Sequence, residues 1–124
     1  MPATEHQLHV LADAFSMPGR PDLHDVPGGQ TVTVGSRSLV VNVPVAGLWQ
    51  YDDFDAQSLP VASTDTTEVA ARALLARLGI DAQGQVATFR LNGPGTEIDL
   101  AGCSMQFGEN GQIVYAIGPL AAIV

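Results

Sequence analysis

Apolar residues recur at helical spacing in two stretches of the chain and alternate with polar residues in most of the others. In the first stretch, Leu8, Leu11, Ala12 and Phe15 occupy positions i, i+3, i+4 and i+7, so they share one side of a helix. This spacing predicts a short helix over residues 5–15. Proline and glycine are frequent after it, and they predict an irregular connection up to the first strand.

The second stretch with helical spacing is longer and has clear ends. Asp65 is followed three residues later by Glu68, an arrangement that satisfies the first backbone N–H groups of a helix as a capping box. Glu68 and Arg72 form a favourable i,i+4 pair, and Gly79 supplies a C-terminal stop. The pattern predicts a helix over residues 65–78 whose apolar side carries Ala71, Leu74, Leu75 and Leu78.

Alternating runs predict β-strands on both sides of this helix. Before it, residues 31–34 and 38–45 flank Gly35-Ser36-Arg37 as a hairpin, and Pro44 indicates a strand end or an edge. After it, a change of parity at Ala101-Gly102 predicts a β-bulge. The alternating residues there are Ala87, Phe89 and Leu91 in a strand with one buried face, then Ile98 and Leu100 against Cys103, Met105 and Phe107, and finally Ile113, Tyr115 and Ile117 in a last alternating strand.

These elements predict an α+β fold in a single domain over residues 1–124. An antiparallel β-meander packs against one main helix, with a short first helix and an N-terminal β-hairpin that either extends the sheet or faces it. No internal repeat is visible in the sequence. An exposed last strand over residues 113–124 would allow a homodimer by pairing across a twofold axis.

The composition is that of a packed, acidic domain. Hydrophobic residues make up 46% of the chain and charged residues 15%, with thirteen Asp and Glu against five Arg. Nucleic acid is excluded as a partner because its phosphates require clustered cations. Residues 1–10 lack the basic and apolar regions of a signal peptide, and residues 113–124 are too short for a transmembrane segment. The chain as given is therefore expected to be soluble.

Several residues near the N-terminus have the chemistry of metal ligands. His6, His9 and Asp13 share a face of the first predicted helix. A second set follows in the next segment: Asp22, His24 and Asp25. Zinc takes three or four such ligands, but the spacing matches none of the zinc motifs. A polar helix face in an acidic protein explains the same residues.

Other reactive groups lack the partners that catalysis needs. The run Asp52, Asp53 and Asp55 has neither the glycine turn nor the closing glutamate of a calcium loop, which favours a solvated acidic loop. Cys103 is the last residue of the sequence 100–103, which matches the lipobox motif of bacterial lipoproteins but lacks the regions that flank a lipobox. Its predicted place is a buried strand, where a thiol is less reactive. No pattern indicates a catalytic residue or a cofactor.

Trp49, Tyr51 and Phe54 are the candidate ligand-binding residues. Trp49 and Tyr51 alternate on one strand face, where they would form an exposed platform for a sugar, a peptide or a lipid. Core packing between the strand and the helix layer is the alternative use of such large side chains. The platform hypothesis requires that Trp49 or Tyr51 is exposed.

Three motifs follow one another along the second part of the chain: Val40-Val41-Asn42-Val43-Pro44 with Trp49-Gln50-Tyr51, the helix Glu68-Val69-Ala70-Ala71-Arg72-Ala73-Leu74-Leu75, and the hairpin Phe107-Gly108-Glu109-Asn110-Gly111-Gln112-Ile113-Val114-Tyr115-Ala116-Ile117-Gly118. In this order, residues 31–124 resemble extracytoplasmic domains of exported lipoproteins and membrane-anchored proteins from high-GC Gram-positive bacteria. The resemblance implies an extracytoplasmic location and carries no catalytic residue. The last hairpin is also similar to that of cystatin-like and NTF2-like folds, which implies room for a ligand pocket between helix and sheet.

Two hypotheses for the function follow. The first is a non-catalytic extracytoplasmic domain of the cell envelope that binds a protein, a glycan or a lipid, or that has a structural role. The second is a small pocket enzyme or metal-binding protein of cystatin-like or NTF2-like architecture, which would use His6, His9 and the nearby aspartates.

Overall fold

The computed structural model describes residues 3–17, 24–43, 45–56, 63–92 and 95–123, with the backbone alone described at 24–26, 91 and 92. This part of the chain forms one antiparallel sheet of eight strands and two α-helices that share a core with one of its faces, which confirms the α+β fold. In chain order the elements are α1 (Glu5–Ala14), β1 (His24–Val26), β2 (Gly29–Val34), β3 (Arg37–Val41), β4 (Leu48–Asp53), α2 (Thr64–Arg77), β5 (Thr88–Asn92), β6 (Gly95–Leu100), β7 (Cys103–Phe107), β8 (Ile113–Pro119) and a short 3-10 helix (Leu120–Ala122).

The order of strands across the sheet is β1-β2-β3-β4-β8-β7-β6-β5. All neighbouring strands are antiparallel. The predicted early hairpin is β2 and β3, and it extends the sheet rather than facing it. β8 lies between β4 and β7 in the middle of the sheet, so the expectation of an exposed last strand is wrong. The edge strands of the described sheet are β1 and β5.

The side of the sheet that faces the helices forms the core. One cross-strand row on this side runs through seven strands and is buried except at its last residue: Val32, Leu39, Tyr51, Ala116, Met105, Ile98 and Phe89. Leu8 and Leu11 of α1 and Leu74 and Leu75 of α2 join the same cluster of buried residues. Removing this apolar surface from water is the main favourable contribution to folding.

Both helices begin at a side-chain cap. α1 has a complete capping box, in which Gln7 N donates to Thr4 Oγ1 over 3.1 Å and Thr4 N donates to Gln7 Oε1 over 2.9 Å. The cap of α2 is Ser63, whose Oγ accepts a hydrogen bond from Thr66 N over 3.1 Å. The expected capping role of Asp65 is therefore wrong. Asp65 lies in the first turn of α2, where a carboxylate interacts favourably with the positive end of the helix.

The segment around Ala101 and Gly102 is a turn rather than a bulge. Both residues have positive φ, 54° and 82°, and they join β6 to β7. Two consecutive residues of positive φ are what a tight type I′ hairpin turn requires. The change of parity in the sequence therefore marks a chain reversal between two strands. The register irregularity in this part of the sheet lies instead between Gln106 and Phe107.

β8 turns its small residues toward the helices. Ala116 and Gly118 are buried, whereas Tyr115 and Ile117 are half-buried and point away from the helices. The predicted last alternating strand is confirmed as β8, and its smaller residues, not Tyr115 and Ile117, contribute to the core. The physical reason lies across the sheet, because Ala116 pairs with Tyr51 and Gly118 pairs with Trp49. Large side chains on β4 need small ones opposite them.

The fold repeats, although the sequence shows no repeat. Each half of the described chain has one helix followed by a meander of four strands, and the sheet joins the halves through β4 and β8. The fourth residue of β4, Tyr51, pairs with the fourth residue of β8, Ala116. The two halves are thus related by an approximate twofold axis that passes near this pair.

The ends of the two helices support the same relation. The second residue after each helix has positive φ, which is 52° at Ser16 and 74° at Gly79. The next residue closes each turn with an N–H to a helix carbonyl over 2.9 Å: Met17 to Ala12 and Ile80 to Leu75. This is the hydrogen bonding of a Schellman-type helix end. Gly79 is therefore the predicted stop, and Ser16 has the equivalent role in the first half.

The joint between the halves is packed tightly around Trp49. The indole is fully buried, and its centroid lies 5.6 Å from that of the Phe15 ring. A Cβ added to Gly118 would lie 2.6 Å from Cys103 Sγ and 2.8 Å from Trp49 Cζ2. Because interiors are close-packed, such a group would displace its neighbours. The hydrogen side chain of Gly118 is what allows the indole to lie against β8.

We expect Gly118→Ala to lower the free energy of unfolding by about 2 kcal/mol, because the added methyl group overpacks the joint. Urea unfolding of parent and variant measures the difference. Cys103→Ala removes one of the two clashing groups, so the double variant should lose less stability than the sum of the single losses. A Gly118→Ala protein as stable as the parent would contradict this packing.

Candidate functional site

The face of the sheet that points away from the helices is called the open face. Within the described ranges, the helices pack on the other face. Two cross-strand rows span seven strands of the open face: Thr33, Ser38, Asp52, Tyr115, Gln106, Glu97 and Arg90 in one, and Thr31, Val40, Gln50, Ile117, Ser104, Asp99 and Thr88 in the other. The first row is polar throughout and the second includes Val40 and Ile117. The open face is thus an amphipathic surface with a charged row.

At the β5 side of the open face, one arginine holds two carboxylates. Arg90 Nε donates to Asp99 Oδ2 over 2.7 Å, and Arg90 Nη2 donates to Asp99 Oδ1 over 3.0 Å and to Glu97 Oε2. Ser104 Oγ donates to Asp99 Oδ1 over 2.6 Å. The hydrogen bonds from Arg90 hold the pKa of Asp99 below its ordinary value, so this carboxylate stays charged at neutral pH.

At the centre of the open face, Asp52 lies beside Tyr115. The two residues pair across β4 and β8, and Gln50 Nε2 donates to Asp52 Oδ2 over 2.9 Å. Burial raises the pKa of Asp52; burial, together with the nearby charges of Glu97 and Asp52, raises the pKa of Tyr115. The described partner of the Asp52 carboxylate is the neutral amide of Gln50, and the Tyr115 ring lies beside it. A cation would be stabilised both by the carboxylate and by the face of the ring.

One end of the open face is apolar. Val43, Val45, Leu48 and Ile117 surround a small depression there, together with Gln50. Val45 is 55% exposed, so its apolar side chain is accessible at this end of the open face. The open face therefore combines an apolar end with a charged row.

Trp49 and Tyr51 do not form the exposed platform that the sequence suggests. Both point to the helices, where Trp49 is fully buried and Tyr51 is 3% exposed. The Tyr51 ring stacks on Phe15, with centroids 4.3 Å apart and planes inclined by 7°. The exposure that the platform hypothesis requires is therefore absent, and the alternative of core packing is confirmed, because Phe15 at the end of α1 packs on both rings. Phe54, in the turn after β4, is exposed, and its role in binding stays a prediction.

The structure places His6, His9 and Asp13 on α1, where all three are exposed. Among the residues that the structure describes, no group of three or more His, Cys, Asp or Glu side chains is arranged to hold a metal ion. Asp22 lies outside the described residues, and only the backbone is described at His24 and Asp25. A metal site that combines the two sets therefore stays a prediction.

The acidic run after Tyr51 is divided between different environments. Asp52 lies on the open face, Asp53 is buried on the helix side of the same strand, and Asp55 is exposed in the following turn. Strand alternation therefore keeps these carboxylates from forming a pair. Cys103 is buried on β7, as expected, and burial raises the pKa of its thiol to about 11. The thiol is protonated at neutral pH and is a poor nucleophile.

A pocket of about 310 Å³ lies where the C-terminal ends of both helices meet β3, β4 and β8. Two of the five arginines of the chain, Arg37 and Arg77, line it together with Tyr51, Asp53 and Gln112. The hydroxyl of Tyr51 lies close enough to Arg37 to accept a hydrogen bond, although burial dominates and raises the pKa of Tyr51. This pocket is therefore polar and bordered by two cations.

Asp53 in this pocket accepts hydrogen bonds from side chains and from the backbone. Ser36 Oγ donates to Asp53 Oδ1 over 2.9 Å, Ala56 N donates to the same oxygen over 3.3 Å, and Gln112 Nε2 donates to Oδ2 over 3.1 Å. Burial raises the pKa of Asp53, but these hydrogen bonds outweigh it and bring the pKa below its ordinary value. Asp53 is therefore a charged group that ties the end of β4 to both neighbouring turns.

Sequence patterns predict neither the open face nor the pocket as a candidate site. The alternation of Ile113, Tyr115 and Ile117 does not decide which face Tyr115 occupies, and the pattern assigns Arg37 to a turn. In the structure, Tyr115 lies on the open face and Arg37 begins β3. Small residues at Ala116 and Gly118 were the available signal for β8, since they alternate with larger ones. The pocket has no local signal, because its residues come from segments that are distant in the sequence.

Comparison with protein-family models, with curated proteins and with solved structures finds no match to this chain. No helix in the described part of the chain is long and apolar enough to cross a membrane. The geometry of the open face and of the pocket is therefore what bears on the function.

Replacing Asp53 with Asn is expected to cost about 2 kcal/mol of stability at neutral pH, because three hydrogen bonds to a charged acceptor are weakened. Since the folded-state pKa of Asp53 lies below its ordinary value, its contribution is present above the unfolded-state pKa and is lost as the pH falls through the folded-state pKa. Denaturant unfolding between neutral and acidic pH should therefore show a smaller acid-dependent loss in the variant.

The matched control is Asp13→Asn, which removes the same charge from the exposed side of α1. It should leave both the stability and its pH dependence close to those of the parent. Equal pH profiles for Asp53→Asn and the parent would contradict the role assigned to this carboxylate.

Proposed function

We propose that the chain is a non-catalytic binding domain of the cell envelope whose partner site is the open face and whose partner is a basic polypeptide segment. The observation that carries the proposal is the cross-strand row from Asp52 through Tyr115 to Glu97 and Arg90. Antiparallel sheets often leave one face to solvent. Here that face combines charge, an aromatic ring and an apolar end.

Charge complementarity favours a cationic partner. Among the side chains that the structure describes on the open face, three are acidic, Asp52, Glu97 and Asp99, and one is basic, Arg90. Two negative charges are therefore not balanced by a positive one. The whole chain has a formal net charge of −8. Such a surface attracts lysine and arginine side chains at long range and repels anionic lipids and acidic glycans. A basic polypeptide is therefore favoured over the other envelope ligands.

The apolar end of the open face favours a polypeptide over a simple cation. Val45, Leu48 and Ile117 offer apolar surface beside the middle of the rows, where β4 begins and β8 ends, and Tyr115 lies at the centre of the first row. A segment with alternating cationic and apolar side chains would match both parts, since apolar contact supplies affinity and charge supplies orientation. Phe54 is not needed for this proposal.

The extracytoplasmic location is part of the same proposal, and the resemblance of residues 31–124 supports it. We expect an antibody to this domain to detect the protein in the envelope fraction of the source cells. Detection in the cytosol alone would contradict the location and would leave the binding surface to be tested separately.

An oligo-lysine peptide tests the binding surface. Titration into the isotope-labelled protein at low salt should shift amide resonances of β4, β8, β7 and β6 more than those of the helices, and added salt should weaken the effect. Asp52→Asn should weaken binding about fivefold, which corresponds to about 1 kcal/mol for one lost charge contact. Tyr115→Ala should weaken it further by removing the ring.

Asp65→Asn is the matched control, because it removes the same charge from the first turn of α2. If Asp52→Asn and Asp65→Asn lower the affinity for the peptide equally, binding depends only on the net charge of the protein. Shifts confined to the helices would also overturn the open face as the partner site. An oligo-glutamate peptide should produce no shifts on the open face.

A further inference from the structure

The pocket where the helix ends meet the sheet brings two arginines to one helix terminus. Arg37 Nη1 donates to the carbonyls of Phe15 and Ser16 over 3.2 Å and 3.3 Å. Arg77 Nε donates to the carbonyl of Ala14 over 3.3 Å. Three consecutive carbonyls at the end of α1 thus position two guanidinium groups from different halves of the chain.

Two like charges that line the same pocket repel each other, so their arrangement needs a compensating negative charge. The C-terminal end of α1 supplies part of it, because the dipole of a helix corresponds to about half a negative charge there. Asp53 supplies one negative charge, which its neutral donors Ser36, Ala56 and Gln112 stabilise without cancelling it. One carboxylate does not balance two guanidinium groups. The pocket therefore keeps an excess of positive charge inside an acidic protein.

The guanidinium groups also keep donors for a ligand. A guanidinium has five N–H donors. The hydrogen bonds to the α1 carbonyls use one nitrogen of Arg37 and one nitrogen of Arg77, and the Tyr51 hydroxyl accepts a further bond from Arg37, which leaves N–H donors on both groups. The Tyr51 hydroxyl and the Gln112 amide border the same space of about 310 Å³. A planar pair of donors matches the two oxygens of a carboxylate or phosphate group.

We infer that this pocket binds a small oxyanion, meaning a ligand whose carboxylate or phosphate group lies between Arg37 and Arg77. The site lies on the helix side of the sheet and does not depend on the open face or on its partner. Arg37 is half-buried and Arg77 is exposed, so Arg37 fixes the inner side of the site and Arg77 borders its mouth.

Inorganic phosphate and succinate are the two probes, each titrated separately into the isotope-labelled protein. Binding should shift the amides of Ser16, Arg37, Arg77 and Gln112. A response to phosphate identifies a phosphate group as the ligand chemistry, and a response to succinate alone identifies a carboxylate. Either response supports the site, whereas no response to either probe at millimolar concentration would overturn it.

Arg77→Gln is the informative variant, because Arg77 is exposed and its loss should leave the fold intact. We expect it to weaken binding at least about tenfold, which is typical for the loss of one charge-assisted contact. Arg77→Lys keeps the charge without the planar donor pair and should fall between Arg77→Gln and the parent. Circular dichroism checks that each variant is folded.

Arg72→Gln is the matched control on the same helix. Arg72 makes comparable hydrogen bonds, to the carbonyls of Ala82 and Gln85 over 3.0 Å each, but it does not line this pocket. This variant should bind the probe as the parent does. If Arg72→Gln and Arg77→Gln weaken binding equally, the probe responds to net charge and the site is disproved.

Discussion

The pairing of β4 with β8 is the contact on which the rest of the structure depends. It joins two halves, each made of a helix and a four-stranded meander, into one sheet with one core. The pairing is possible because side-chain sizes are complementary, with Trp49 opposite Gly118 and Tyr51 opposite Ala116. The two large rings rise from β4 toward the end of α1, where Phe15 packs against both. Without small residues on β8, neither the central sheet nor the helix layer would close.

The alternation of β4 also separates the two surfaces that bear on function. Asp52 and Asp53 are neighbours in the chain, but they lie on opposite faces, and their pKa values move in opposite directions. Asp52 is desolvated with a neutral amide beside it, so the open face presents negative charge to a partner. Asp53 is held by hydrogen bonds from neutral donors, and its single charge does not balance those of Arg37 and Arg77, so the pocket behind it keeps a positive charge. One strand thus gives the domain an acidic face and a basic pocket.

The sequence predicts the class of fold and both helices because local signals decide them. The spacing of Leu8, Leu11, Ala12 and Phe15 and the stop at Gly79 depend only on nearby residues. Prediction from the sequence fails where strand register decides which residues are buried, as in β8, whose larger residues Tyr115 and Ile117 point away from the core. Ranking side chains by hydrophobicity selects those residues, whereas the space left by Trp49 and Tyr51 selects Ala116 and Gly118. The pairing of the two arginines in the pocket could not be predicted from the sequence for the same reason, since only tertiary contacts bring Arg37 and Arg77 to the end of α1.

The layout of the sheet has a consequence for the order of folding. Within each half, neighbouring strands are joined by short connections, so their hairpins close at little cost in chain entropy. The contact between β4 and β8 instead joins Leu48 to Pro119 and Asp52 to Tyr115, residues far apart along the chain, and such long-range contacts slow folding. The two meanders should therefore form before they join. During that interval, β4 and β8 are both uncovered strand edges, and pairing between different molecules competes with completion of the sheet.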